Sequence, residues 1–139
     1  MNCVEWTTIA LNVVSILGIG GAVYAYLRES RRKRSEWMMQ LFSKFFESER
    51  YKDVRTAMDH GRVDASWINV ERQEEQLVDY LNFFEFMAAL NDRNEIKHRE
   101  VNMLFAYYLE LIDRTPDVRA YVAKNGFESL DKFLNRGRS

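Results

Sequence analysis

Apolar positions fall into two regimes along the chain. Residues 7–27 (TTIALNVVSILGIGGAVYAYL) contain no charged side chain, and a helix of that length spans about 30 Å, the thickness of a bilayer's hydrocarbon core. Beyond it the apolar residues recur with a helical period. Trp37, Met38, Leu41, Phe42, Phe45 and Phe46 stand at i, i+4 spacings and predict a stalk that continues the first helix. Ser48 is placed to cap a short helix through His60, closed by Gly61, with the GRVDAS segment predicted as a loop. A helix over about residues 68–90 opens on Glu71, Glu74 and Glu75, whose charge suits the positive end of the macrodipole. Its Leu77, Leu81, Phe84 and Ala88 form one face, and Phe83, Phe86, Met87 and Leu90 extend that cover around most of the circumference. Such a helix belongs at the centre of a bundle.

NDRNE interrupts the pattern. Val101, Leu104, Phe105, Tyr108, Leu111 and Ile112 then predict a helix over about residues 97–112. Thr115-Pro116-Asp117 starts another, which stops near Gly126. Phe127, Leu130, Phe133 and Leu134 predict a last short helix before a frayed RGRS tail. No segment has the alternation of a strand. The expected fold class is all-α: an N-terminal transmembrane helix continuing into a stalk, then a compact helical bundle. The expected organisation is a short outer N-terminus (1–6), the span (7–27), a basic collar (28–34) and a cytoplasmic helical domain (35–139).

Charge gives the span a direction. Arg28, Arg31, Arg32, Lys33 and Arg34 follow it at once and, with Glu29, carry a net +4, whereas residues 35–139 carry a net −4. The six residues before the span hold one charged side chain, Glu5. Basic residues stay on the cytoplasmic side, so the N-terminus is expected outside and the bulk of the chain in the cytosol, at the inner membrane if bacterial. Trp6 at one end, with Tyr24 and Tyr26 at the other, suits ring anchors at the two interfaces, and the collar suits lipid headgroups. A cleaved signal peptide fits less well, since MNCVEW has no basic residue. Within the span, Asn12, Ser15, Gly18 and Ala22 lie with Thr8 in an arc of about 120°. Gly18/Ala22 and Gly21/Ala25 are small-xxx-small pairs that let two backbones approach, and Asn12 can hydrogen-bond across such a contact. A homo-oligomer is one expectation and a solitary anchor the other.

Composition narrows the chemistry. The chain is 139 residues long with 20 basic and 21 acidic residues, so a strongly basic nucleic-acid coater is excluded. One cysteine and two histidines leave no disulfide framework and no ordinary zinc ligand set. The chain has no Walker A, G-x-S-x-G or H-E-x-x-H motif, and no cofactor or metal is expected. Glu85 lies among apolar neighbours. It is either buried beside an Arg, Lys or His, or an edge carboxylate reaching solvent.

Arg93-Asn94-Glu95-Ile96-Lys97-His98 resembles the R-x4–6-H motif of HEPN ribonuclease domains. That resemblance implies His98 in acid–base chemistry at a ribose 2′-hydroxyl and Arg93 on phosphate. Arg55 and His60 repeat the spacing inside a helix, where the two side chains splay apart. As a whole the chain resembles an uncharacterised bacterial family of small single-span proteins. The SKFFESERYKDVR segment and the LVDYLNFFEFMA helix followed by VNMLFAYYLELI carry that likeness, which implies fold and location rather than an activity. It is also similar to membrane-anchored accessory effectors of bacterial antiviral systems. The leading expectation is a membrane-tethered, non-enzymatic helical module that scaffolds, senses or acts through protein contacts. The alternatives are a membrane-perturbing pore and a HEPN-like ribonuclease using Arg93 and His98, which would bring in nucleic acid.

Overall fold

A computed structural model of the chain describes the backbone of residues 3–137 and the side chains of residues 20–137. Among the described residues all regular structure is helical: α1 (Cys3–Glu47), α2 (Glu49–Asp59), α3 (Ala65–Ile68), α4 (Glu71–Asp92), α5 (His98–Arg114), α6 (Pro116–Lys124) and α7 (Glu128–Arg136). The chain divides into two compact units, Met1–Ser43 and Lys44–Ser139.

The first unit is a single stretch of helix. Its basic segment is held helical by pairs one turn apart. Glu29 takes Arg32 at 3.2 Å and Lys33 at 3.8 Å, and Arg32 also reaches Glu36 at 3.5 Å. These are exposed pairs, worth a few tenths of a kcal/mol each. No helix among the described residues is long and apolar enough to cross a membrane. That overturns the expectation of a single-pass protein with an outer N-terminus and a cytoplasmic remainder. From Arg28 onward α1 carries Arg28, Glu29, Arg31, Arg32, Lys33 and Arg34, charges that a hydrocarbon core does not accept. Trp6, Asn12, Ser15 and Gly18 lie outside the described side chains.

The second unit is built around α4. This helix buries Leu77, Tyr80, Leu81, Phe83, Phe84, Met87 and Ala88 and packs against α2, α3, α5 and α7, as its nearly all-round apolar surface predicts. Phe45, from the last turn of α1, is completely buried. Its ring centroid lies 4.9–5.8 Å from those of Tyr51, Tyr80, Phe83, Phe84, Phe105 and Tyr108. The offset and edge-on geometries in this nest are those that aromatic quadrupoles favour. The Tyr80 hydroxyl has no hydrogen-bond partner among the described residues, and burial pushes its pKa well above the usual phenol value.

Helix ends explain the connections. At α2, the Gly61 N–H donates to Met58 O (3.0 Å) and the Arg62 N–H to Ala57 O (2.9 Å), with Gly61 at φ +63°. At α4, the Asn94 N–H donates to Asn91 O (3.0 Å) and the Glu95 N–H to Leu90 O (2.9 Å), with Asn94 at φ +58°. Both are Schellman terminations, with the left-handed residue just past the helix. The segment predicted as a loop, residues 61–66, runs into α3, whose first two residues it contains. There Asp64 accepts from Trp67 N at 2.9 Å and from Ser66 Oγ at 2.6 Å, a side-chain N-cap that starts one turn of helix. The Ser66 hydroxyl and then the Trp67 amide hold the Asp64 carboxyl below the usual range. Ser48 precedes α2 as expected, but its side chain makes no capping bond.

Candidate functional site

The sequence marks Arg93 and His98, and the structure places them on either side of the Schellman turn between α4 and α5. Arg93 is the C-cap residue just past α4 and is exposed, while His98 is the first residue of α5 and half-buried. The connection is pinned from beneath. Ile96 is buried, and Asn91, itself buried, donates from Nδ2 to Ile96 O at 2.9 Å. Glu100 then accepts the Lys97 N–H at 2.8 Å and orders the first turn of α5. The His98 ring stacks on Phe133 of α7, centroids 4.4 Å apart and planes inclined by 28°.

His98 stands between two cavities. One, of about 360 Å³, runs along α5 and α7 over Leu109, Phe133 and Leu134, with His98, Glu110 and Asp113 at its polar edge. The other, of about 590 Å³, is lined by Asn91, Asp92, Asn94, Ile96, Lys97, His98 and Arg136. Arg93 lines neither. Neither of these two cavities therefore holds both the Arg93 and the His98 side chains, which concerted acid–base and phosphate chemistry would need at one site.

Two residues that sequence reading passed over do converge on His98. Lys97 is exposed at the start of α5. Arg136, read as part of a frayed tail, is the last residue of α7 and pairs with Asp92 at 3.1 Å. Lys132 also reaches Asp92, at 3.5 Å. The available signal was a basic last turn on an amphipathic helix, which points to a fixed C-terminus and not to its partner.

The second Arg-x4-His pair is structural. Arg55 donates to the carbonyl oxygens of Phe45 and Phe46, the latter at 3.1 Å, and its guanidinium lies 5.2 and 5.4 Å from the two ring centroids. It therefore closes carbonyls at the end of α1 that have no partner in the helix. His60 Nδ1 is 2.7 Å from Thr56 O at the end of α2. Arg119 is likewise a structural hub. It reaches Asp131 at 2.5 Å and Asn135 at 2.9 Å, and its Nε lies 3.2 Å from Asp113 as an ion pair too poorly aligned for a hydrogen bond.

Among the described residues no group of three or more His, Cys, Asp or Glu is placed to hold a metal ion. No curated relative and no solved structure matches the chain, and the likenesses to HEPN domains and to membrane-anchored effectors find no support in these comparisons. A family model does match residues 12–114, which takes in α2–α5 and both residues of the Arg93/His98 pair but stops short of α6 and α7. On that match over most of its length, the chain belongs to the family described as Domain of unknown function (DUF4760).

Proposed function

We propose that the chain is a non-enzymatic helical interaction module that self-associates through α1. The observation that carries this reading is the bare apolar surface of that helix. Every residue from 20 to 28 is exposed, including Val23 at 52%, Tyr24 at 69%, Tyr26 at 73% and Leu27 at 49%. Gly20, Val23, Tyr24 and Leu27 follow the i, i+3, i+4, i+7 spacing of one helix face. A stripe of this kind marks an interaction surface.

A second copy of the chain fits the stripe. Gly20 and Gly21 have nothing within 4 Å of the position a Cβ would take, so another helix can approach the backbone closely there. Charge selects the orientation. Side-by-side parallel helices bring two collars of net +4 together. Each unit pair at about 10 Å in water costs about 0.4 kcal/mol before salt screening, and there are many such pairs. An antiparallel pair crossing at the glycines keeps the collars apart.

Light scattering on the full chain tests this reading. The expected mass is at least twice the 16.6 kDa of one chain, falling to one chain in the Val23→Glu/Leu27→Glu variant with the melting temperature at high dilution unchanged. A monomeric wild type overturns the reading, whether or not α1 then partitions onto lipid vesicles. A variant that remains oligomeric overturns it equally.

A further inference from the structure

We infer that the larger cavity at the α4–α5 corner is a binding site for a small phosphomonoester, of sugar-phosphate or nucleotide size. Three elements bring donors to it: the loop after α4 contributes Asn94 and Lys97, α5 contributes His98, and α7 contributes Arg136. Among the lysine, arginine and carboxylate side chains of the lining, Lys97 and Arg136 exceed the one carboxylate, Asp92, by a single positive charge. Asp92 is further offset by Lys132 at 3.5 Å. Arg136 pairs with Asp92 through one terminal nitrogen, at 3.1 Å, and its planar guanidinium carries five N–H donors in the fork that suits phosphate oxygens. Beside these side chains, the N–H groups of His98 and Arg99 open the first turn of α5. They add the positive end of a helix of 17 residues to the same corner.

Size decides the ligand class. A volume of about 590 Å³ lies within the range of small-molecule pockets and well exceeds what a bare phosphate fills. The walls are polar and apolar in about equal measure, and the scaffold is pre-formed, since Asn91 fixes Ile96 O and Asp92 pairs with Arg136. The ligand's phosphate would sit against Lys97, Arg136 and the opening amides of α5, with its organic part in the remaining space beside His98.

The test is an amide-resolved NMR titration of the full chain with adenosine 5′-monophosphate and, separately, inorganic phosphate, both at constant ionic strength set with chloride. The expected result is saturable shifts confined to residues 94–100 and 136. The monophosphate should bind at least tenfold more tightly than inorganic phosphate. Lys97→Gln should weaken binding several-fold with no change in melting temperature, and Lys97→Gln/Arg136→Gln at least tenfold. No saturable shift at these residues overturns the proposal. So does binding unaffected by Lys97→Gln, whose fold is not at risk because that side chain is exposed. Inorganic phosphate binding as tightly as the monophosphate also overturns it, because the volume would then select nothing.

Discussion

Glu85 accepts the backbone N–H groups of Ser129 at 3.0 Å and Leu130 at 2.8 Å, and so caps a helix that begins 43 positions later. α7 has no side-chain cap of its own, because its N-cap residue is Phe127. A carboxylate at that end satisfies two orphan donors and faces the positive end of the helix. Glu85→Ala should therefore cost about 1–2 kcal/mol in urea unfolding. Glu85→Gln, which keeps one acceptor and loses the charge, should cost less. Neither sequence reading of Glu85 named this partner. Nothing near it in the chain points to an acceptor role, and the match is set only when α4 and α7 pack. Tyr121 offers a pH-dependent probe. Burial first, then its hydrogen bond to Glu74 at 2.8 Å, pushes the phenol up to about 12. A phenol whose folded pKa exceeds its unfolded value of about 10 stabilises the fold fully below pH 10, and that contribution is lost as pH rises towards 12. The stability gap between wild type and Tyr121→Phe should accordingly be flat below pH 10 and narrow above it. A phenolate absorbance titration should lose its late-ionising component in the variant.

Elements were legible where local chemistry specifies them. Apolar periodicity located α4 and α5 to within a few residues, and Thr115-Pro116 placed the start of α6, where Pro116 occupies the first turn. Misreadings cluster at short range rather than in the core. α3 was overlooked because four residues are too few to show a period, although Asp64 followed by Ser66 and Trp67 carries the cap that starts it. The α4–α5 break was read from the composition of NDRNE, whereas its cause is one residue, Asn94, in the left-handed region. Gly61 plays the same part after α2, and the space a Cβ would occupy there is empty. Gly61→Ala is thus a test of backbone conformation alone, free of any clash. It should destabilise the fold by about 1–2 kcal/mol. Asn94→Gly should be tolerated, because glycine reaches the same φ without penalty. Thermal melts of the two variants distinguish this account from one in which both turns are merely exposed loops.

At the scale of the molecule, stability and assembly are expected to separate by position. Phe45 sits in the aromatic nest of the second unit with no exposure and touches rings from α2, α4 and α5. Phe45→Ala removes the ring and leaves a cavity that six neighbouring aromatics cannot all collapse to fill, so the expected loss is about 3–5 kcal/mol. Val23 and Leu27 have the opposite character, since each is about half exposed on a bare helix face. Their replacement by Glu removes little that the isolated chain buries, so its effect is expected in the measured mass and in whatever depends on association. The two variants therefore form a crossed pair. Phe45→Ala should lower the melting temperature whatever the protein concentration, while the Val23→Glu/Leu27→Glu form should melt like wild type at high dilution, where mass action removes any contribution from association. At high concentration wild type should gain melting temperature relative to that form only if association through α1 is coupled to folding of the Lys44–Ser139 unit. That coupling has a physical route, because α1 is one helix whose last turn supplies Phe45 and is held by Arg55. A concentration-dependent melting temperature in wild type, absent from the Val23→Glu/Leu27→Glu variant, is the expected signature. A wild-type melting temperature independent of concentration would confine self-association to the first unit.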